Sequence, residues 1–265
     1  MYSYNFKLNK GDKNVGTVYL PNNNSYVMPT IIYCHGWGDS RWLNPSTKEL
    51  LDQALANNMA FVTFDNYGCG ETGGDYSKMT YQRWAKCTED VFDWVAEQDF
   101  SDNKRIGCFS ISSGTTAAIR FAQNKDKPAF IISVATAIST HIGMGSGGPC
   151  KVMMDNLETL INGGTAELFG VQFPMDFFRD EIQNAALYSM DKIKCPVFFL
   201  QGMNDNQWRI SDAKFGYNLM LMNGQNTKHF EVDGGDHNLN ERAEICAEKS
   251  IQWLKELNII DVKYE

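Results

Sequence analysis

Concentrated positive charge is what this chain most lacks. Its 24 lysines and arginines stand against 32 aspartates and glutamates, a formal net charge of -8 at pH 7, and nowhere do the basic residues gather into a cluster. Phosphate binding needs a concentrated cationic surface, so nucleic acid is not an expected partner. Long apolar runs are missing too. The longest, around "AFIISVATAI", is too short to span a bilayer. The start, "MYSYNFKLNKGDKN", has no apolar core of a secretory signal. The 7 cysteines include no C-x-x-C pair, are odd in number, and lie partly in apolar runs where cysteine behaves as a small hydrophobe. That usage fits a reducing compartment, and a cytoplasmic protein is expected. With 4 histidines and no H-E-x-x-H spacing, neither a metal site nor a cofactor is expected. Internal repeats and low-complexity linkers are absent as well.

What is present suits one large α/β domain with an inserted lobe. Of the 265 residues, 43% are hydrophobic and 21% charged, ordinary for a chain that buries a sizeable core. "YSYNFKL" and "VGTVYL", joined by the turn-forming "NKGDKN", read as an opening hairpin. Continuous apolar strands follow at "TIIYC", "AFVTFD", "RIGCF", "AFIISVA" and "CPVFFLQ", with "KHFEV" as the last. Helical segments or loops separate them, which predicts a mainly parallel eight-stranded sheet covered on both faces. In "YQRWAKCTEDVFDWVAEQ", Trp84, Cys87, Val91, Trp94 and Val95 make one apolar stripe, and Trp253 sits in a similar stripe near the C-terminus. These tryptophans are expected to pack helices on the sheet. One stretch breaks the alternation: residues 137–190 are rich in Gly, Met and Phe and separate two strands that would otherwise be neighbours. They are expected to be a cap inserted into a core made of residues 1–136 and 191–265.

In an open parallel sheet, ligands bind at the carboxyl ends of the strands. Four loops expected there carry polar residues: "HGWGDS", "SISSG", "GMNDNQ" and "GGDHNL". With these loops and the strand-to-helix stretch "RIGCFSISSGTTAAIRFAQ", the chain resembles the α/β-hydrolase family over nearly its whole length. Within it the chain looks most like small capped bacterial esterases, a group that includes feruloyl (cinnamoyl) esterases and monoacylglycerol-lipase-like enzymes. The family's elbow motif is G-x-S-x-G, which displays the nucleophile on a sharp turn. Here it reads Ser110-Ile111-Ser112-Ser113-Gly114 and departs at its first position. The residues two before and two after the nucleophile must be small, because strand and helix approach closely. Ser112 meets that condition, with Ser110 and Gly114 as neighbours. Ser113 would have the β-branched Ile111 and Thr115, and Ser110 would sit inside the strand.

The resemblance supplies the partners. Family order is Ser, Asp/Glu, His, which excludes His35 as the base. His229 falls within a strand and His141 at the start of the cap, whereas His237 lies in a glycine-flanked loop able to reach over the elbow. Asp205 occupies the matching loop for the acid that orients it. Asp212 reads as a cap of the next helix, and Asp233 and Asp236 as turn formers. The oxyanion donors are expected to be the backbone N–H groups of Trp37 and Ser113, with the Trp37 side chain walling the pocket and His35 bracing its loop. Met144 and Phe173 are expected to contact substrate, and the cap's other Met and Phe residues to divide between its own core and an apolar acyl pocket.

"YGCGETGG" matches G-x-G-x-x-G but opens no helix, and it resembles instead the family's D-x-x-G-x-G-x-S turn, with Asp65, Gly68, Gly70 and Thr72 in place. The expected function is a serine hydrolase acting on small-molecule carboxylic esters of small aromatic or medium-chain acyl groups through an acyl-enzyme. The alternatives are an amide-cleaving serine peptidase, a thioesterase, and a non-catalytic binding protein on the same frame. A prolyl-oligopeptidase-type enzyme is disfavoured because no gating segment precedes the hydrolase core, and a dehalogenase because its elbow would carry Asp. The chain leaves a homodimer open.

Overall fold

Successive residues along the central strands face opposite sides of the sheet, and both sides are covered. The structure, a computed structural model, describes residues 1–22, 27–142 and 148–260. In β3 (Met28–Cys34), Ile31 and Tyr33 face one apolar cluster while Ile32 and Cys34 face another. The first cluster is closed by α1 (Pro45–Ala56) and α8 (Ala243–Glu256), through Leu50, Leu51, Ala247 and Leu254. The second is closed by α2 (Tyr81–Ala96), α3 (Ser113–Asn124) and α7 (Ser211–Met222). Burial on both faces explains why these strands read as continuous apolar runs.

The main sheet has eight strands in the order β1-β2-β4-β3-β5-β6-β9-β10. The antiparallel hairpin β1 (Tyr2–Lys7) and β2 (Val15–Leu20) joins β4 (Ala60–Phe64) antiparallel. From β4 onward, β3, β5 (Ser101–Ile111), β6 (Ile131–Val134), β9 (Val197–Gly202) and β10 (Thr227–Val232) pair in parallel. β6 and β9 are neighbours despite the long stretch between them. That stretch leaves the sheet and carries α4 (Pro149–Asp155), α5 (Leu157–Ile161), a small antiparallel hairpin of β7 (Thr165–Leu168) and β8 (Val171–Pro174), and α6 (Met175–Gln183).

Trp84 is fully buried and its indole N–H donates to the Tyr67 carbonyl; Trp94 stacks on Phe6 with ring centroids 4.1 Å apart; Trp253 packs against Phe198 and Phe130. Trp94 and Trp253 hold their helices to the sheet, whereas Trp84, expected to do the same, packs instead in a third cluster with the loop after β4 and the stretch between β6 and β9. All seven cysteines are free thiols. Among the described residues, no helix is long and apolar enough to cross a membrane.

Candidate active site

The chain turns from β5 into α3 through a backbone that few side chains adopt. Ser112 has φ 54° and ψ -124°, outside the regions open to an ordinary L-residue. Its own N–H is tied to the Val134 carbonyl at 2.9 Å and its carbonyl accepts the Thr115 N–H at 2.9 Å, so both flanks hold the strained residue in place. Two positions on, a Cβ on Gly114 would stand 2.1 Å from the Cys34 carbonyl oxygen and 2.6 Å from that of His35. No side chain fits there. Gly114→Ala is expected to cost about 3 kcal/mol or more of stability, by forcing β3 and α3 apart; equal urea midpoints for variant and parent would contradict this.

Two positions before, Ser110 replaces the motif's glycine at a fully buried site. Its hydroxyl donates to the Ile132 carbonyl at 3.1 Å and accepts from Thr115 Oγ1 at 3.3 Å. The added polar atom is therefore satisfied inside the sheet.

The loop after β3 runs directly against this turn: a Cβ on Gly36 would be 3.3 Å from Ser112 Cβ. His35 is fully buried there, and the Asn66 N–H donates to its Nε2 at 3.0 Å. Nε2 is thus an acceptor, which leaves the ring proton on Nδ1 to donate to the Gly36 carbonyl at 2.9 Å. Burial lowers its pKa and keeps it neutral. The Asp65 turn closes the other side. Its carboxylate accepts the Arg41 N–H at 2.7 Å and the Glu71 N–H at 2.9 Å, and pairs with the Arg41 guanidinium. A Cβ on Gly70 would strike that carboxylate, at 2.3 Å. The G-x-G-x-x-G look-alike is a carboxylate-centred staple.

At the far edge, the loops after β9 and β10 interlock. A Cβ on Gly202 would meet the Asp236 and Gly235 carbonyls at 2.4 Å, and the Asn204 N–H donates to the Gly235 carbonyl at 2.9 Å. This brings Asp205 to His237, whose Nδ1 lies 2.9 Å from each carboxylate oxygen. Asp205 also accepts the Gln207 and Trp208 N–H groups at 2.9 Å and Gln201 Nε2 at 3.1 Å. Burial pushes its pKa up, but the hydrogen bonds from His237 and the two backbone N–H groups outweigh that and hold it below the usual carboxylate range. An ionised Asp205 fixes the Nδ1–H tautomer and leaves Nε2 as the free ring nitrogen.

Ser112, Ser113, His237 and Trp37 all line one cavity of about 200 Å³. Its walls are completed mainly by Tyr81, Phe169, Phe177 and Trp208. The Ser113 N–H opens α3 and is among the helix's first N–H groups, which have no intrahelical acceptor.

Three expectations need correction or qualification. Phe173 does not reach the cavity: it is fully buried, stacked on Phe177 at 4.1 Å and packed behind the Trp37 ring at 5.6 Å. Being the inward residue of a two-stranded hairpin, it fills the space behind the wall. Asp212 is no helix cap. Its carboxylate accepts the Ser139 N–H at 3.2 Å and the Trp208 indole N–H at 3.0 Å, tying the loop after β6 to that after β9. Met144 lies outside the described residues. Sequence reasoning missed Tyr81, Glu181 and Trp208 as wall residues. For Glu181 a signal existed: Arg120 interrupts the apolar helix "TTAAIRFA" and needs buried carboxylate partners.

The sequence pattern of the X-Pro dipeptidyl-peptidase (S15) family matches residues 10–158, more than half of the chain. The chain belongs to this family. The matched S15 portion includes the β3 loop and the Ser112 turn, and stops before Asp205 and His237. Est1E from Butyrivibrio proteoclasticus, solved with ferulic acid bound, superposes with a TM-score of 0.79 at 18% identity, covering 94% of this chain and 98% of that one. The fold is that of the α/β-hydrolases, as the sheet order and the Ser112 turn had indicated. A 31.7 kDa protein of the traX-finO intergenic region of Escherichia coli is 23% identical over 263 residues, 86% of this chain and 90% of its own length. Human mitochondrial palmitoyl-protein thioesterase ABHD10 is 24% identical over 185 residues, 67% of this chain and 57% of its own length. Esterase, peptidase and thioesterase names thus surround a shared hydrolase framework.

Proposed function

We infer that the protein is a serine hydrolase that cleaves carboxylic esters of small aromatic or medium-chain acyl groups through an acyl-enzyme. One observation carries the reading: Ser112, held at φ 54°, shares a cavity wall with His237, whose Nδ1 is engaged by a buried carboxylate. A serine hydroxyl is a weak nucleophile until a base takes its proton. His237 Nε2 accepts that proton as Ser112 Oγ attacks the carbonyl carbon, and Asp205 stabilises the imidazolium. The tetrahedral oxyanion is held by the Trp37 and Ser113 N–H groups, the second aided by the α3 dipole. Collapse expels the alcohol with the proton from His237; water, deprotonated by the same nitrogen, then releases the acid.

Residues 137–190 act as a cap in this reading. They supply Phe169 and Phe177 to a wall otherwise made by Trp37, Tyr81 and Trp208. Aromatic walls around a small volume favour a flat or slender acyl group. The ferulic acid bound by Est1E is of that kind. A second reading has its own support: the S15 family is named for cleavage after X-Pro, so an amide at the carboxyl side of proline is the competing substrate.

The test is a panel of p-nitrophenyl esters of increasing chain length, methyl ferulate, an acyl thioester and an Xaa-Pro-p-nitroanilide. Ester turnover that peaks at short or aromatic acyl groups, with slow amide cleavage, is expected; dominant anilide release would move the assignment to the peptidases. Asp205→Asn is expected to lower kcat by roughly 10⁴-fold, since an amide no longer enforces the Nδ1–H tautomer. A loss below tenfold, measured on folded protein, would remove Asp205 from the proposed triad.

A further inference from the structure

The first side chain of α3 is a hydroxyl with half of its hydrogen bonding unspent. Ser113 is 7% exposed and lines the cavity beside Ser112, Trp37 and His237. Its Oγ accepts from the Tyr81 hydroxyl at 3.0 Å. A serine hydroxyl also donates one proton, and among the described residues nothing accepts this one. The other hydroxyls of the same turn differ. Thr115 donates to Ser110 Oγ at 3.3 Å and Thr116 to the Ala137 carbonyl, so both are committed inside the protein. Of these three, only Ser113 keeps a proton for the cavity in which Ser112 stands.

The partner is fixed in place and in polarity. Tyr81 is the first residue of α2, whose start is set by the Thr80 hydroxyl accepting the Arg83 N–H at 3.0 Å. The Tyr81 ring is 3% exposed, edge-on to Trp84 at 5.9 Å and tilted against Phe177 at 6.4 Å. Burial, with the nearby Glu181 charge, pushes its pKa well above the usual phenol value, against the pull of the Ser113 hydrogen bond and of Arg120. The phenol therefore stays protonated and donates. With that proton on Ser113 Oγ the pair has one direction: Tyr81 donates to Ser113, and Ser113 donates onward.

We propose that Ser113 gives its side-chain hydroxyl, as well as its backbone N–H, to the tetrahedral oxyanion, and that Tyr81 is the positioning residue that aims this hydroxyl. The role depends on the acyl-enzyme reading of Ser112. Covalent geometry permits the double contribution. A serine Oγ in a gauche rotamer stands about 3 Å from its own backbone nitrogen, so one oxygen can receive both donors. As Ser112 Oγ attacks, the substrate's carbonyl oxygen gains negative charge, and a donor already aimed at it needs no reorganisation at that moment. The uncharged ester carbonyl gains less from the same donor, so the effect falls on kcat and not on KM. A hydroxyl that merely satisfied the buried phenol would have no such signature.

Three variants of the full chain test this. Ser113→Ala is expected to lower kcat roughly 10²-fold on the best substrate of the panel, with KM within about threefold of the parent. Tyr81→Phe leaves the Ser113 hydroxyl present but unaimed and should lose less, roughly three- to tenfold. The double variant separates the roles, because Ser113→Ala strands the buried Tyr81 hydroxyl and Tyr81→Phe removes that orphan. It should stay as slow as Ser113→Ala. Recovery towards the parent would trace the first loss to the stranded phenol and overturn the proposal. A parental kcat in Ser113→Ala would overturn it too, and losses that multiply would overturn the action of Tyr81 through Ser113. A second measurement is free of substrate choice. An alkyl fluorophosphonate phosphonylates Ser112 Oγ as the serine proton passes to His237 and fluoride leaves, with the phosphoryl oxygen in the oxyanion position. The labelling rate at Ser112, located by mass spectrometry, should fall in the same order across the variants. A parent that is labelled but turns over no ester would refute the esterase reading, while the labelling ratios would still decide the role of Ser113. A parent neither labelled at Ser112 nor active would overturn both.

Discussion

Replacing Ser112 by alanine is expected to lower kcat on any substrate the protein hydrolyses by on the order of 10⁵-fold or more, with little change in urea midpoint. Alanine keeps the φ of 54° and the hydrogen bonds of the turn, losing only the oxygen proposed to attack. Ser112→Gly separates chemistry from strain. Glycine occupies this backbone region freely, whereas a residue with a Cβ is held there at a cost of about 1–3 kcal/mol. That variant should be equally inactive yet more stable than the parent by about 1 kcal/mol, part of the relief being offset by the freer unfolded chain. An active Ser112→Ala protein would dismiss the nucleophile, and a destabilised Ser112→Gly protein would dismiss the strain.

The largest effect on stability is expected at Arg120. This arginine, 1% exposed, projects from α3 between Asp180 and Glu181 of α6, joining the helix that follows Ser112 to the excursion between β6 and β9. Arg120→Leu strands two carboxylates in the interior, and breaking such a pair from one side costs about 3–5 kcal/mol. The pH dependence supplies a second readout. Glu181 already binds its proton more tightly in the native protein, at about 7 against an ordinary value of 4.5. Across that window the native state carries more protons than the unfolded one, so this group's contribution to stability falls as pH rises. Without the guanidinium, whose charge opposes that rise, Glu181 should hold its proton to still higher pH. The deficit of Arg120→Leu should therefore be largest near about pH 8 and shrink towards about pH 5. Urea melts at both values check this; a small, pH-independent deficit would mean that the ion pairs contribute little.

Much of the fold was legible from the linear text, because the signals are local. "TIIYC", "AFVTFD" and "CPVFFLQ" are apolar on both faces, which only a covered strand tolerates, and the structure pairs them in one sheet. The Ser112 turn was readable for a similar reason: a small residue on either side is a steric demand met within five positions. Asp205 and His237 could be placed on loops at the correct sheet edge, and they do come together, at 2.9 Å.

The wall of the cavity was not legible. Phe169, Phe173 and Phe177 are equivalent in composition, yet one is 60% exposed, one is fully buried behind the wall, and one is buried in the wall. Their fates depend on how a two-stranded hairpin lies against Trp37, a contact between segments far apart in the chain. Glu181, in "FFRDEIQ", reads as the solvent side of an amphipathic helix. It is buried because Arg120, 61 residues away, draws it inward. The chain by itself determined which strands form, where the sharp turn falls and which residue types stand on the loops, since periodicity and backbone sterics act over a few neighbouring residues. Only the tertiary structure decided which side chains face the cavity and which charges are buried together, since those outcomes arise where separate elements compete for the same volume.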